Sequence, residues 1–174
     1  LNEGLAWAQN AVGLPFIGQE NFTTLRTLAD LQAANGLAAE AGKSEQRALE
    51  HPTAGVLDLH QYGRQLITRG EKEKGLKVLE LNAARHPGVW PVEVGLARGY
   101  AAVGRTEDAL THARLALQQA PDDVNRRNLE KMIQDLIIPK LQQVLANKDM
   151  HPDIRGGAVI ALARCRGGLE DVKA

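Results

Sequence analysis

Glycine and proline recur along this chain with a nearly constant period. Three glycines stand at one constant interval, and three prolines stand at nearly the same interval: Gly36, Gly70, Gly104, Pro52, Pro87 and Pro121. A glycine can adopt a positive φ and end one helix, whereas a proline cannot continue a helix and marks the end of another. This period of about 34 residues therefore predicts a repeating unit of two helices, with glycine after the first and proline after the second.

Side chains between these glycines and prolines repeat at the same interval. Small residues recur at one position of each first helix and at one position of each second helix: Ala29, Gly63, Ala97, Ala41, Gly75 and Ala109. Because the distance between packed helices depends on the side chains at their contact, these positions predict a close crossing within each pair. Larger neighbouring residues should fill the core beside it, among them Tyr62, Leu96 and Tyr100.

Composition favours an all-α protein and argues against some partners. Good helix formers dominate the sequence, and no segment alternates cleanly with period two. The net charge is 0, from 21 basic and 21 acidic residues, and aromatic residues make up 3%. Nucleic-acid and membrane-surface partners usually require a basic excess or stacking aromatics, so we expect neither partner. No apolar run is long enough for a membrane span.

The third unit has a recognisable set of residues at characteristic spacings: Leu96, Ala97, Tyr100, Gly104, Ala109, Ala116 and Pro121. With this pattern, residues 22–121 resemble the tetratricopeptide family over three units. The first unit is degenerate, since Gln32 stands at its aromatic position. The resemblance implies a right-handed α-solenoid of antiparallel helix pairs. It also implies a non-enzymatic interaction or scaffold module that binds a protein or peptide.

Four further stretches resemble the helical-repeat tails of uncharacterised bacterial envelope proteins: residues 14–22, 60–66, 81–87 and 95–100. In those proteins the repeats follow a separate β-rich domain. The resemblance implies an alternative function, in which the chain is an accessory tail of a larger protein with a β-rich or catalytic domain. It also implies that the natural parent protein lies in the bacterial envelope or periplasm.

Residues before and after the three units are predicted to be helical without matching the repeat. Residues 1–21 should hold half a unit, a helix from Glu3 to Val12 followed by a loop. Residues 122–138 should form a capping or transition helix, because Asp122 and Asp123 precede Val124 and are both good N-cap residues.

A second kind of repeat is predicted at the C-terminal end. Residues 139–174 resemble a HEAT-like helix pair, in which the Pro-Asp-x-Arg stretch at residues 152–155 opens the second helix. Splicing two repeat proteins through a shared helix would produce such a switch of repeat family. An engineered fusion with no natural ligand is therefore a further alternative.

Residues that could carry chemistry are better explained by structure. Ser44 is the only serine, and we interpret it as a surface residue on a helix, not as a nucleophile on a strand-to-helix turn. Residues 41–44 imitate the end of a phosphate-binding loop, but Leu37 stands where that motif needs glycine. His51 and His86 are expected at helix C-termini, where a cation faces the negative end of the helix dipole. We predict no catalytic residue, no metal site and no cofactor.

One stripe of residues suggests a binding site. The first helices of tetratricopeptide arrays line a concave groove, and the resemblance carries six positions to it: Arg26, Asp30, His60, Arg64, Val94 and Arg98. Arg64 and Arg98 are one repeat apart, which would stack their planar guanidinium groups, each able to bind a carboxylate through two hydrogen bonds. The hypothesis is an acidic or carboxylate-ended peptide ligand. The alternative is a solvated face, because exposed charges often have no measurable role.

The terminal helices carry apolar residues and few charges. Leu5 and Trp7 lie on the first helix, and Ile154 and Ile160 lie on the last. A repeat array without polar end caps exposes the apolar faces that an adjacent repeat would cover. Such surfaces tend to associate, so we expect self-association through one or both terminal helices.

Overall fold

The structure is a computed structural model that describes residues 2–14 and 18–170, the last five of these for their backbone alone. Within this described part, the chain forms nine helices and no strand, which confirms the all-α prediction. The helices are α1 (Asn2–Gly13), α2 (Phe22–Ala34), α3 (Ala38–Glu50), α4 (Val56–Thr68), α5 (Lys72–Arg85), α6 (Trp90–Ala102), α7 (Thr106–Gln118), α8 (Asp123–Ala146) and α9 (Pro152–Glu170).

Contacts between residues divide the chain into two units, Leu1–Pro87 and Gly88–Ala174. In the first unit, α1 packs on α2, α2 on α3, and α4 on α5. In the second unit, α6 packs on α7, α7 on α8, and α8 on α9. The boundary between the units follows α5, so it falls between the second and third predicted repeats.

The predicted glycines and prolines lie at the ends of the helices. Gly36, Gly70 and Gly104 follow α2, α4 and α6 with φ of 79°, 91° and 80°, which confirms their predicted role. The repeating prolines stand shortly past the ends of α3, α5 and α7, as expected: Pro52, Pro87 and Pro121. A positive φ at Gly88, 74°, was not predicted, because it lies outside the repeating series.

Helices α4 and α5 cross so closely that only glycine fits at the contact. A Cβ atom on Gly63 would lie 2.6 Å from Leu79 Cγ. A Cβ atom on Gly75 would lie 2.7 Å from both the Gly63 carbonyl oxygen and Ile67 Cγ1. The matching positions of the other two helix pairs hold buried alanines: Ala29, Ala41, Ala97 and Ala109. The small residues are therefore buried as predicted.

Mostly apolar side chains from α2 to α5 form the core of the first unit. Its buried members are Phe22, Leu25, Ala48, Ala54, Leu59, Tyr62, Leu66 and Val78. The Phe22 and Tyr62 rings meet edge to face, with their centroids 6.3 Å apart, an arrangement that aromatic pairs prefer. The fully buried Asn82 donates a hydrogen bond from its side-chain amide to the Val56 carbonyl oxygen at 2.9 Å, which joins α5 to the start of α4.

In the second unit, the core prediction holds for Leu96 but is wrong for Tyr100. Leu96 is buried, whereas Tyr100 is only half-buried. The Tyr100 ring stacks on His112, with centroids 5.5 Å apart, and the Arg105 guanidinium carbon lies 4.4 Å from its centroid. These polar neighbours are consistent with a position of the ring at the edge of the apolar core.

Helix α8 is longer than the segment predicted for it. It begins after Asp122, whose carboxylate accepts a hydrogen bond from the Asn125 backbone N–H at 2.8 Å, so the predicted N-cap is confirmed. The helix then continues through Pro139 to Ala146 without a break. The predicted transition helix and the first HEAT-like helix are therefore one element. Helix α9 begins at Pro152, as expected.

Candidate binding surfaces

Arg26, one of the predicted groove residues, makes its contacts inside the first unit. Its side chain is only 11% exposed, and Nη2 donates to Asp30 Oδ2 at 2.9 Å. The guanidinium carbon lies 3.6 Å from the centroid of the Tyr62 ring, in cation–π geometry. Since its charge is already engaged by a carboxylate and a ring, Arg26 stabilises the contact between α2 and α4.

The other predicted groove residues differ in accessibility. On α4, Arg64 is exposed and His60 is half-buried. On α6, Arg98 is exposed, but Val94 is only 7% exposed and packs with Ala116 and Leu129 in the core of the second unit. Val94 therefore contributes to packing. Arg64 and Arg98 lie in different units, and their joint role as a carboxylate clamp stays a prediction.

The ion pairs of Arg26 belong to a charged cleft of about 370 Å³ between α2, α3, α4 and α5, here called the polar cleft. Asp30 lies 3.7 Å from Arg69 Nη1 as well as accepting from Arg26. Lys74 Nζ lies 2.7 Å from Glu45 Oε2 and 3.7 Å from Glu71 Oε2. Three basic and three acidic side chains thus neutralise one another around the cleft: Arg26, Arg69, Lys74, Asp30, Glu45 and Glu71.

Tyr62 connects the polar cleft to the apolar core. Its ring is buried in the core of the first unit, and its hydroxyl donates a hydrogen bond to the Glu45 carboxylate. Burial, followed by this hydrogen bond and the nearby negative charge, raises the pKa of Tyr62 well above its usual value; Arg26 opposes the shift only partly. The neutral phenol is therefore the form that the folded state stabilises.

Because the folded-state pKa of Tyr62 is raised, the stability that it contributes should depend on pH. This contribution is fully present below the unfolded pKa of about 10 and is lost as the pH rises towards the folded pKa. We expect the free energy of unfolding of the wild type to fall more steeply between about pH 9 and 11 than that of Tyr62→Phe. Urea unfolding of both proteins at each pH would measure this difference, and parallel curves would contradict it.

A second, mostly apolar groove of about 350 Å³ lies between α3 and α5, here called the apolar groove. Its lining residues come from one face of each helix: Gly42, Glu45, Gln46, Leu49, Lys74, Lys77, Val78 and Leu81. The predicted binding site did not include this groove, because all the predicted positions lie on the first helix of a pair. The i, i+3, i+4, i+7 spacing of these residues on both helices is the signal that could have revealed it.

The residues considered for chemistry have structural roles. Ser44 is only 5% exposed, so its interpretation as a surface residue is wrong. It shares a face of α3 with the buried Ala41 and Ala48, at positions i, i+3 and i+7. His51 and His86 are the C-cap residues of α3 and α5, as predicted. In the part of the chain that is described, no three His, Cys, Asp or Glu residues cluster as potential metal ligands.

One partly buried titratable pair was not predicted. Among the described residues, Glu93 is the only buried carboxylate, and its Oε2 lies 2.7 Å from His112 Nδ1. The pair joins α6 to α7. Tyr100 covers the other side of the imidazole through the ring stack. Because a buried carboxylate is costly without a partner, this contact stabilises the helix pair.

No protein-family model matches the chain, and no curated protein is significantly similar to it. The assignment of function therefore depends on the geometry of the two units. Among the described helices, none has both the length and the apolar character needed to cross a lipid bilayer.

The terminal helices show a mixture of covered and exposed apolar residues. On α1, Trp7 is exposed. On α9, Ile154 and Ile160 are exposed, whereas Ala158 and Leu162 are buried. Self-association through these helices stays a prediction, which sedimentation equilibrium over a wide concentration range would test.

Proposed function

We propose that this chain is a non-enzymatic protein–protein interaction module, a right-handed α-solenoid of tetratricopeptide-type helix pairs that ends in a HEAT-like pair. One observation carries the proposal. Three successive helix pairs have buried small residues at the same two positions of the repeat, and in the pair α4 and α5 these positions lie where the helices meet: Ala29 and Ala41, Gly63 and Gly75, Ala97 and Ala109. A recurring pair with one crossing geometry is the building block of a solenoid.

The contacts where α4 and α5 cross support an antiparallel arrangement within this pair. Gly63 on α4 approaches Leu79 on α5, whereas Ile67, one turn later on α4, approaches Gly75, one turn earlier on α5. Residue numbers therefore rise along one helix as they fall along the other. Gly70, with its positive φ, begins the short connection that reverses the chain between them.

Polar groups of the described helices support a binding role over catalysis. Ser44 is buried within the first unit, and Glu93 is paired with His112. Two ion pairs of the polar cleft join different helices, Glu45 with Lys74 and Asp30 with Arg69 at the end of α4, whereas Arg26 pairs with Asp30 within α2. These groups hold helices together, while the apolar groove leaves apolar surface open to a partner.

Selection of peptides from a displayed library against the full chain would test the proposal. We expect selection to converge on related sequences, and synthetic peptides of those sequences should bind saturably with one site per chain in calorimetry. Scrambled peptides of the same composition are the control. Failure to recover any saturable binder, or ester hydrolysis that Ser44→Ala abolishes, would contradict the proposed function.

One observation favours a second candidate, an engineered fusion with no natural ligand. Helix α8 is unbroken from Asp123 to Ala146, across the point where the repeat pattern changes from tetratricopeptide-like to HEAT-like. A shared helix is how two repeat proteins would be joined. A genome that encodes both segments in one continuous reading frame would exclude this candidate.

A further inference from the structure

The apolar groove has two matching walls. Its lining residues have the same spacing on both helices, positions i, i+3, i+4 and i+7. They are Gly42, Glu45, Gln46 and Leu49 on α3, and Lys74, Lys77, Val78 and Leu81 on α5. A stripe of this length extends along a helix for about 10 Å, or two turns. The groove is therefore long enough for two turns of a partner helix or a few extended residues.

Polar contacts hold the two walls together. Lys74 Nζ lies 2.7 Å from Glu45 Oε2, and Arg85 Nη1 donates to the Leu49 carbonyl oxygen at 2.6 Å near the C-terminal ends of both helices. Between them, the buried Val78 forms the floor, while Leu49 and Leu81 are only partly buried. The groove is thus formed before any partner binds, which lowers the entropic cost of binding.

Gly42 creates an opening in this groove. The residues one and two repeats later are Leu76 and Leu110, and both are buried. A Cβ atom on Gly42 would meet nothing within 4 Å, so helix packing does not require glycine there, in contrast to Gly63 and Gly75. Glycine within a helix is destabilising relative to alanine. The two later units have a leucine side chain at this position, and the first unit has none. The corresponding space beside Gly42 is therefore open.

The lining of the groove carries one more positive than negative charge, because its charged side chains are Glu45, Lys74 and Lys77. Lys74 forms an ion pair with Glu45 across the groove. Lys77 is exposed at the groove edge. A carboxylate on a bound segment would meet Lys77 at the groove edge, and such a contact would weaken with salt because it is exposed.

We propose that the apolar groove binds an amphipathic segment of a partner protein. A leucine-like side chain of the partner occupies the space beside Gly42, and an Asp or Glu of the same segment faces Lys77. This inference rests on the proposed function and assigns it to a particular face, the second helices α3 and α5. The predicted stripe at Arg64, by contrast, lies on a first helix.

Peptides recovered by the library selection described above are the probes for the test. They should be enriched in Leu or Ile together with Asp or Glu. Gly42→Leu places its Cβ atom in open space, and its side chain should occupy part of the groove and weaken their affinity by about tenfold or more, the effect of excluding one buried leucine. Lys77→Glu should weaken affinity less and reduce its salt dependence. Gly156→Leu is the matched control, because it also lies on an exposed helical position with open space, and it should leave affinity unchanged.

Several outcomes would overturn the inference. Peptides that bind Gly42→Leu as tightly as the wild type, or that depend on Arg64 instead, would place the site elsewhere and leave the proposed function intact. Self-association that Gly42→Leu abolishes would identify the occupant as a second copy of the chain. Absence of any saturable binder would overturn both this inference and the proposed function. Unfolding curves of each variant would confirm that a loss of affinity is not a loss of fold.

Discussion

Leu59→Ala should lower the free energy of unfolding by about 2–5 kcal/mol, the range for truncating a leucine in a packed core. Leu59 is 0% exposed and belongs to the core of the first unit. Its side chain packs in the cluster that draws residues from α2, α3, α4 and α5, so the shortened side chain leaves a cavity that several elements would have to fill. Urea unfolding followed by circular dichroism would measure the loss.

A matched control for Leu59→Ala lies two residues earlier on α4, near the N-terminus of that helix. Leu57 is 68% exposed, and Leu57→Ala makes the same change in helix propensity at the same end of the same helix. We expect its effect to stay within about 0.5 kcal/mol, as is usual for surface substitutions. Equal losses for the two variants would mean that the face of α4 assigned to the core is wrong.

Gly75→Ala should destabilise the protein by about 1–3 kcal/mol, the usual cost of overpacking a core. Alanine is preferred to glycine within a helix by about 1 kcal/mol, so local propensity alone predicts the opposite sign. The added methyl group would lie 2.7 Å from the Gly63 carbonyl oxygen, and a backbone atom cannot rotate away as a side chain can. Helices α4 and α5 would therefore have to separate.

Gly42→Ala is the control for this change. Gly42 also lies within a helix, but its added methyl group would meet nothing within 4 Å. We expect a gain of about 0.4–1 kcal/mol, because alanine restricts the unfolded chain without strain in the folded one. Thermal or urea unfolding of both variants would measure the two changes in the free energy of unfolding. If Gly75→Ala stabilised the protein, α4 and α5 would be able to move apart without a loss of stability.

Local sequence signals were sufficient for much of the fold. The glycine series ended the first helices at Gly36, Gly70 and Gly104 with positive φ, since few other residues adopt that conformation readily. Asp122 and Asp123 were both candidate N-cap residues from residue type and position alone, and Asp122 is the one that caps α8. Such signals act within a few residues of the chain, so the sequence displays them directly.

Predictions that depended on the surroundings of a side chain were less successful. Ser44 was interpreted as a surface residue and is buried, whereas Tyr100 was placed in the core and is half-buried. In each case the outcome depends on which residues of another helix, or of the next turn, are close enough to make contact.

For the candidate binding surfaces, too, the contacts between helices could not be predicted from the residue pattern. Arg26 was predicted to face a ligand from its position in the repeat, but Asp30 and Tyr62 engage its guanidinium group. The apolar groove was not predicted at all, because its walls are α3 and α5, two helices separated along the chain by α4. Residue type alone does not show which charges are already neutralised within the fold.

Residue patterns were sufficient to predict that the chain is all-α, where the glycines and prolines interrupt the helices, and which small residues recur at buried positions of the helix pairs. Periodicity and backbone preference are local properties, so they can be read without knowing the neighbours of a residue. Contacts between helices, by contrast, make glycine necessary at Gly75 and unnecessary at Gly42. Both glycines lie within helices, but one faces a carbonyl oxygen and the other faces open space. This difference depends on the distance between helices, which the packing of distant residues sets.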